Sequence, residues 1–187
     1  MDKKPRIGII VGSNRPNRIC LHVAEWVQNA MKHDSLDLEL IDLAEINLPF
    51  LDEPEIPAHH KYTKNHTKQW SELIRRYDGF VIVFPQYNWG YPAVLKNALD
   101  FLFDEWANKP VSIMCYGSHG GFQGAFALKM VTQGLDMYNM STNPPLNINE
   151  KMFNRHGQFK DIDKAFGRYK QPMQAVSAEF VDLLAKN

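Results

Sequence analysis

The sequence predicts an α/β fold in which helices cover both faces of a parallel β-sheet. Apolar runs with little polar alternation, such as Ile7–Val11 and Phe80–Phe84, indicate strands that are buried on both sides. Segments with apolar residues at helical spacing lie between these runs. The chain has 187 residues, of which 44% are hydrophobic. We therefore expect one domain that spans residues 1–187 rather than two.

The first half of the chain begins with the strand Arg6–Val11, a nearly continuous apolar run that ends at a glycine. A helix is predicted over about Arg18–Lys32, because apolar residues recur there at helical spacing. A second strand, Asp37–Leu43, precedes the proline-containing stretch Ala44–His66, which we expect to be irregular. A lid, an interface and a plain loop all fit that stretch. A helix over Thr67–Tyr77 follows.

The second half contains three further strands and three further helices. The predicted strands are Gly79–Phe84, Pro110–Tyr116 and a short one at Tyr138–Ser141. The predicted helices are Pro92–Leu102, Gly124–Leu135 and about Lys170–Leu184. Pro92 suits a first helical position, where the missing amide hydrogen has no intrahelical acceptor. Five strands separated by helices favour a flavodoxin-like, five-stranded parallel sheet in the order 2-1-3-4-5.

The overall charge gives no support for a nucleic-acid or membrane partner, and the cysteine content indicates the cellular compartment. Lys and Arg total 21 and Asp and Glu total 21, so a nucleic acid or an anionic membrane gains no attraction from the net charge. No apolar run approaches the roughly 18 residues of a membrane span, and no signal-peptide pattern follows Met1. Cys20 and Cys115 lie far apart in sequence, as expected of free thiols in a reducing compartment. We therefore expect the protein to be located in the cytoplasm.

Three loops should meet at the carboxyl edge of the sheet, where open parallel sheets bind ligands. They are loop one (Gly12–Arg18), loop three (Pro85–Tyr91) and loop four (Gly117–Gly121). Loop one offers polar donors that suit a phosphate monoester near a helix N-terminus, namely Ser13, Arg15, Asn17 as a helix cap, and Arg18. It has neither a G-x-G-x-x-G pattern nor a cysteine nucleophile. A solvated turn with two surface arginines is the alternative.

Loops three and four have compositions that suit a planar ligand. Loop three has three aromatic residues that could offer a flat wall to a ring system, although they could equally cap the core or form a subunit contact. Loop four has three glycines, which let backbone amides approach a ligand or simply form a sharp turn before a helix. His119 is most simply incidental, and His59, His60 and His66 lack metal-ligand spacing, so we predict no metal site.

The three loops together resemble the NAD(P)H-dependent FMN reductase family, and within it the FMN-dependent quinone reductases of fungi and bacteria. The resemblance lies in Gly12–Arg15 (GSNR), Pro85–Asp100 (PQYNWGYPAVLKNALD) and Tyr116–Gly121 (YGSHGG), and it extends from the first strand to about residue 135. It implies bound FMN, whose phosphate Ser13, Arg15, Asn17 and Arg18 would hold. It also implies contacts with the flavin ring and ribityl chain from Pro85, Gln86, Tyr87, Asn88 and Trp89, and with the pyrimidine edge from Gly117, Ser118 and Gly120. Gln86 stands where the wider family has glutamate.

The implied function is an oxidoreductase that uses NADPH or NADH to reduce a small-molecule electron acceptor such as a quinone, an azo compound or free flavin. The cofactor would supply the hydride chemistry, so we assign no catalytic acid, base or nucleophile. A flavin-holding electron carrier or redox-sensing module is the alternative, and the neutral net charge favours the enzyme. A hydrolase fits poorly, because the loops hold no nucleophile or carboxylate pair.

The resemblance also implies a homodimer. The segment that contains Phe101, Leu102, Phe103 and Trp106 has more apolar residues than one helix face needs. We therefore expect part of this segment at the dimer contact.

Overall fold

A computed structural model describes residues 4–185 of the chain and confirms the predicted parallel α/β architecture. Six strands in that range form one sheet, namely β1 (Arg6–Val11), β2 (Asp37–Asp42), β3 (Gly79–Pro85), β4 (Pro110–Gly117), β5 (Tyr138–Asn139) and β6 (Leu146–Asn147). The order β2-β1-β3-β4-β5 is the predicted one, and the strand pairs are parallel.

Helices cover both faces of this sheet. They are α1 (Cys20–Ala30), α2 (Leu43–Ile46), α3 (Asn65–Arg75), α4 (Ala93–Asp100), α5 (Phe122–Gly134), α6 (Ile162–Phe166) and α7 (Lys170–Leu184). The predicted long helices are present, with ends that differ by a few residues. None of the helices in residues 4–185 is long and apolar enough to cross a bilayer.

The predicted fifth strand, Tyr138–Ser141, is present as the shorter β5, and β6 is an additional strand in the proline-containing loop that follows it. β5 pairs with the beginning of β4, whereas β6 pairs with its end at Tyr116 and Gly117. Pro144 and Pro145 lie between the two strands and have no amide hydrogen for a ladder bond. The Asn143 side chain occupies part of the gap, since its Oδ1 accepts a hydrogen bond from the Ile113 amide at 2.7 Å.

Two helix starts also differ from the sequence expectation. Asn17 is not the cap of α1, because Ile19 holds that position and Asn17 lies before it in a left-handed conformation with φ of 57°. The Arg18 amide donates to the Arg15 carbonyl at 3.1 Å, so loop one ends in a tight turn just before the helix. Pro92 is the N-cap of α4 rather than its first residue, since its ψ of 145° is extended.

The core has two layers because successive strand residues face opposite sides of the sheet. Ile10, Ile82 and Phe84 pack towards α3, α4 and α5, whereas Ile9, Val11 and Val83 pack towards α1 and α7. Strands that are buried on both faces explain the nearly continuous apolar runs of β1 and β3.

Most of the apolar segment after α4 belongs to this core. Phe101, Leu102 and Trp106 are at most 1% exposed, and Phe103 is half-buried against the same cluster. The Trp106 indole donates to the Leu99 carbonyl at 3.1 Å. We expected part of this segment at a dimer contact, and burial in the core excludes Phe101, Leu102 and Trp106 from that part.

A buried carboxylate joins this segment to α3 and to the irregular stretch before it. Glu105 is 1% exposed and accepts hydrogen bonds from Ser71 Oγ at 2.6 Å, Arg75 at 2.7 Å and Tyr62 Oη at 3.0 Å. Burial acts to raise the pKa of Glu105, but hydrogen bonds from Ser71, the backbone and Tyr62, together with the charge of Arg75, outweigh it and hold the pKa below its usual value.

We predict that Glu105→Ala lowers the free energy of unfolding by about 2–3 kcal/mol at pH 7, because it leaves buried donors without an acceptor. Urea unfolding of the two proteins measures the difference. Glu72→Ala, on the exposed side of α3, is the matched control, and we expect a change within about 0.5 kcal/mol. Since the pKa of Glu105 is lowered on folding, the advantage of the wild type should shrink as the pH falls through the carboxylate range. A difference that stayed constant there would contradict the role of the charge.

Candidate functional site

Loops one, three and four meet at the carboxyl edge of the sheet and line one cleft of about 710 Å³. Most of the residues predicted for the site lie in its wall, and these are Ser13, Arg15, Asn17, Arg18, Pro85, Gln86, Tyr87, Gly117 and Ser118. Asn88, Trp89 and Gly120 belong to the same loops but do not line the cleft. The sequence therefore predicts correctly which loops converge.

Backbone hydrogen bonds fix where each loop leaves the sheet. The Gly12 amide donates to the Val83 carbonyl at 2.8 Å, and the Gln86 amide donates to the Tyr116 carbonyl at 2.9 Å. A Cβ on Gly12 would lie 2.9 Å from Cβ of Phe84, so no larger residue fits at this strand end. Loop one thus begins on a backbone position that only glycine can occupy without displacing β3.

An ion pair holds the guanidinium of Arg18 in the wall of the cleft. Its NH2 group contacts Oδ2 of Asp42, which is 8% exposed and also caps α2 by accepting from the Ala44 amide at 3.0 Å. Nε of Arg18 is buried, and no described residue offers it an acceptor. Asp42 offsets one of the two positive charges of loop one, which the sequence did not indicate.

Ser13 provides a buried hydroxyl in the wall of the same cleft. The residue is 1% exposed, and its Oγ lies 3.4 Å from Oη of Tyr87 and 3.4 Å from the Arg15 amide. Both distances are at the long end for hydrogen bonds, so these contacts are weak. A ligand oxygen between loops one and three would find the Ser13 and Tyr87 hydroxyls together.

Loop three is a tight turn whose two central residues are left-handed. Asn88 and Trp89 have φ of 47° and 66°, and Tyr87 and Gly90 exchange backbone hydrogen bonds of 3.0 and 2.8 Å. This geometry turns Trp89 outwards, where it is 71% exposed. The Trp89 ring therefore does not cap the core.

Gln86 connects loop three to the first turn of α5. Its Oε1 accepts a hydrogen bond from the Gly124 amide at 2.8 Å. A Cβ on Gly124 would lie 3.0 Å from the Gly90 carbonyl oxygen, which shows how closely the helix approaches the loop. The neutral amide of Gln86 thus has a structural partner, and this contact requires an acceptor rather than a charge.

Loop four needs glycine at two positions. Gly120 and Gly121 have φ of 73° and 65°, and a Cβ on Gly121 would meet the Cys115 side chain. On the other side of the loop, the Ile148 amide donates to the Gly117 carbonyl at 3.0 Å. The sharp turn and the approach of a second segment thus both use the backbone of loop four.

The two cysteines, Cys20 and Cys115, are buried, and neither lines the cleft. Burial raises the pKa of Cys20 to about 12 and that of Cys115 to about 12. Burial, with the neighbouring Cys20, also raises the pKa of Tyr116, so this phenol in the cleft wall stays protonated.

No group of three or more metal-ligating side chains occurs within residues 4–185. His59, His60 and His66 instead contact three different carboxylates, those of Glu55, Asp104 and Asp52.

A hairpin of residues 149–159, which sequence patterns did not reveal, supplies a further wall of the cleft. The residues beyond loop four that line it are Ile148, Glu150, Phe153, Asn154 and Gly157. Phe153 and Phe159 form the bridge of this hairpin. Its turn residues Asn154 and Gly157 are a local sign of a reversal, but nothing in the sequence indicates that the reversal faces loop one.

The residues in the cleft fit the flavin mononucleotide that the resemblance implies. A phosphate group would supply the acceptor that the buried Nε of Arg18 lacks, and Ser13 and Arg15 offer further donors. Apolar side chains from Ile19, Ile148 and Phe153 give the same cleft a partly apolar lining, as a ring-containing ligand requires.

Comparisons with known proteins agree with this fit. Over residues 5–148 the chain matches the family described as NADPH-dependent FMN reductase. An NAD(P)H-dependent FMN reductase of Schizosaccharomyces pombe is 41% identical over 181 residues, which cover 89% of this chain and 90% of that protein. An FMN-dependent NADPH-azoreductase of Staphylococcus saprophyticus is 32% identical over 114 residues, 60% of each chain.

Solved structures give the same fold. The flavoenzyme NAD(P)H:(acceptor) oxidoreductase FerB of Paracoccus denitrificans aligns with a TM-score of 0.72 over 97% of this chain and 98% of that one, at 20% sequence identity. The family match covers most of the chain, and the fungal relative is similar over nearly its whole length. The chain therefore belongs to the NADPH-dependent FMN reductase family.

Proposed function

We propose that the cleft holds FMN and that the protein uses NADPH or NADH to reduce a small planar acceptor. The observation that carries this proposal is that three loops line one cleft, whose wall includes Arg18 with a buried Nε for which residues 4–185 offer no acceptor. Quinones, azo compounds and free flavin are the candidate acceptors. The names of similar proteins support this range, since they include azoreductases and an NAD(P)H:quinone oxidoreductase.

Loop one would bind the phosphate of the cofactor. Arg18 is positioned by Asp42 and presents Nε, Arg15 adds a second guanidinium, and Ser13 adds a hydroxyl. Charge-assisted hydrogen bonds of this kind contribute about 1.5–3 kcal/mol each. Asn17, also in the cleft wall, completes the polar set that we assign to the phosphate.

Loops three and four would position the ring and the ribityl chain. We assign the ring contacts to Pro85, Gln86, Tyr87, Gly117 and Ser118, which line the cleft. Asn88, Trp89 and Gly120 stay predictions for this role, since they lie beside the cleft. Bound FMN would supply the transfer of hydride from a nicotinamide and of electrons to the acceptor. The protein would contribute fixed hydrogen-bond donors and the protonated phenol of Tyr116 in the cleft wall, and not an acid, base or nucleophile.

Buried, free Cys20 and Cys115 support a reducing compartment, and we propose the cytoplasm.

We predict that the purified protein takes up FMN and that its visible absorption is bleached by NADPH or NADH under anaerobic conditions. Addition of a quinone should then restore the absorption with multiple turnovers. Anaerobic absorption spectroscopy measures both steps. Bleaching without turnover would favour the alternative, an electron-carrying or redox-sensing module. A protein that takes up no FMN would contradict the proposed function.

We predict that Arg15→Ala weakens FMN binding by about tenfold or more, because a charged contact exceeds the roughly 1.4 kcal/mol that corresponds to tenfold. Titration of the apoprotein by flavin fluorescence measures the dissociation constant. Arg155→Ala, an exposed arginine outside the cleft wall, is the matched control. Riboflavin, which has no phosphate, should bind both variants like the wild type. An equal loss for riboflavin would contradict the assignment of Arg15 to the phosphate.

We also propose a homodimer, which α5 rather than the segment after α4 would form. Phe122, Phe126 and Met130 recur every fourth residue on α5 and are 68%, 63% and 69% exposed. Trp89, likewise exposed, lies next to Gly90, which α5 approaches closely at Gly124. Such a row of large exposed apolar side chains is typical of an interaction surface. Its position beside loop three would put the subunit contact next to the cleft.

We predict that Phe126→Asp raises the dissociation constant of the dimer at least about a hundredfold, because burying an unpaired charge costs several kcal/mol. Sedimentation velocity at micromolar concentration should show a dimer for the wild type and a monomer for the variant. Ile56→Asp, at an exposed apolar residue outside α5, is the control and should leave the dimer intact. A wild-type monomer would refute the proposed dimer.

A further inference from the structure

The 149–159 hairpin begins where the family match ends, at residue 148, and shares the cleft with loop one. Glu150, Phe153, Asn154 and Gly157 from this hairpin line the same space as Arg15 and Arg18. A ligand held by loop one therefore has the hairpin as a neighbour. None of these hairpin residues belongs to the three loops that carry the family resemblance.

Hydrogen bonds within the hairpin make it a defined unit rather than a loose loop. The Asn154 amide donates to the Gln158 carbonyl at 2.9 Å. Oδ1 of Asn154 accepts from the amides of His156 and Gln158 at 2.9 and 3.1 Å. The Lys160 amide donates to the Met152 carbonyl at 2.9 Å. A wall that is already ordered loses little conformational entropy when it contacts a ligand.

A row of aromatic rings connects the hairpin to α1, the helix that follows loop one. Ring centroids are 4.6 Å apart for Phe153 and Phe159, 5.5 Å for Phe159 and Phe166, and 5.2 Å for Phe166 and Trp26 of α1. Phe166 is fully buried and Trp26 is 5% exposed. The hairpin packs on α1 through these rings, and loop one leads directly into α1, so both segments are attached to the same helix.

We propose that this hairpin retains FMN as a slowly exchanging prosthetic group and that Phe153 is the residue that makes the retaining contact. The proposal rests on the proposed function of the cleft. Phe153 is half-buried, lines the cleft, and is supported from behind by Phe159. A retained cofactor means that acceptors such as quinones come to the bound flavin, and that FMN is not released as a product after each turnover.

The rate of FMN release from the holoprotein tests this directly. Holoprotein is mixed with an excess of an apoflavodoxin that captures free FMN, and release is followed by flavin fluorescence. Differences in affinity between related complexes arise mostly in the dissociation rate. We therefore expect Phe153→Ala to release FMN about tenfold faster or more, with an association rate close to that of the wild type.

Two further variants separate retention from folding. Phe153→Leu keeps an apolar side chain against Phe159 and should give an intermediate release rate. Arg155→Ala lies on the same hairpin but is exposed and outside the cleft wall, so release should stay within about twofold of the wild type. Thermal unfolding of each apoprotein confirms that the hairpin variants remain folded.

Equal release from the wild type and from a folded Phe153→Ala would overturn the proposal. Wild-type release as fast as catalytic turnover would overturn it as well, because the flavin would then exchange as a substrate. A wild type that binds no FMN at all would instead defeat the proposed function, so the two failures are distinguishable.

Discussion

The site depends on a backbone ladder that continues past the ends of the strands. The amide of Gly12 bonds to the Val83 carbonyl, that of Gln86 to the Tyr116 carbonyl, and that of Ile148 to the Gly117 carbonyl. Each bond fixes the first residue of a segment that then lines the cleft. The register of the sheet therefore determines where the cleft-lining segments begin. A Cβ at Gly12 would have no space, which shows how closely β1 and β3 are packed at this point.

One partly buried ion pair on this frame reduces the positive charge of the cleft. Asp42 ends β2, next to β1, and its carboxylate both caps α2 and contacts Arg18. The guanidinium is thereby fixed before any ligand binds, which reduces the entropy that binding must cost. Asp42 also cancels one positive charge of loop one. A phosphate that met Arg15 and Arg18 would thus enter a site of modest net charge, where directed donors matter more than long-range attraction.

Continuous apolar strands and the position of each loop at a strand end are local patterns, so the strands and the loops could be predicted from the sequence. The sheet order is not a local pattern; it was predicted from the flavodoxin-like arrangement, in which loops one, three and four meet at the same edge of the sheet. The sequence was not sufficient where tertiary contacts decide. Asn17 has the chemistry of a helix cap but lies in a left-handed turn. Phe101 and Trp106 suggested a surface, yet the layer between α3 and α4 buries them. The Arg18–Asp42 pair joins loop one to the end of β2, and no sequence pattern predicts it.

The hairpin is the clearest case of a cleft wall that local sequence patterns miss. Its residues show no helical or strand periodicity. The aromatic residue that anchors it, Phe159, packs on Phe166, which in turn meets Trp26 more than a hundred positions away in the sequence. Loop one and the hairpin both line the cleft. The hairpin lies after the part of the chain that matches the family, and it packs through Phe166 on α1, the helix that follows loop one. Two segments with a common foundation can hold a ligand between them without a moving lid, since neither can shift without disturbing α1.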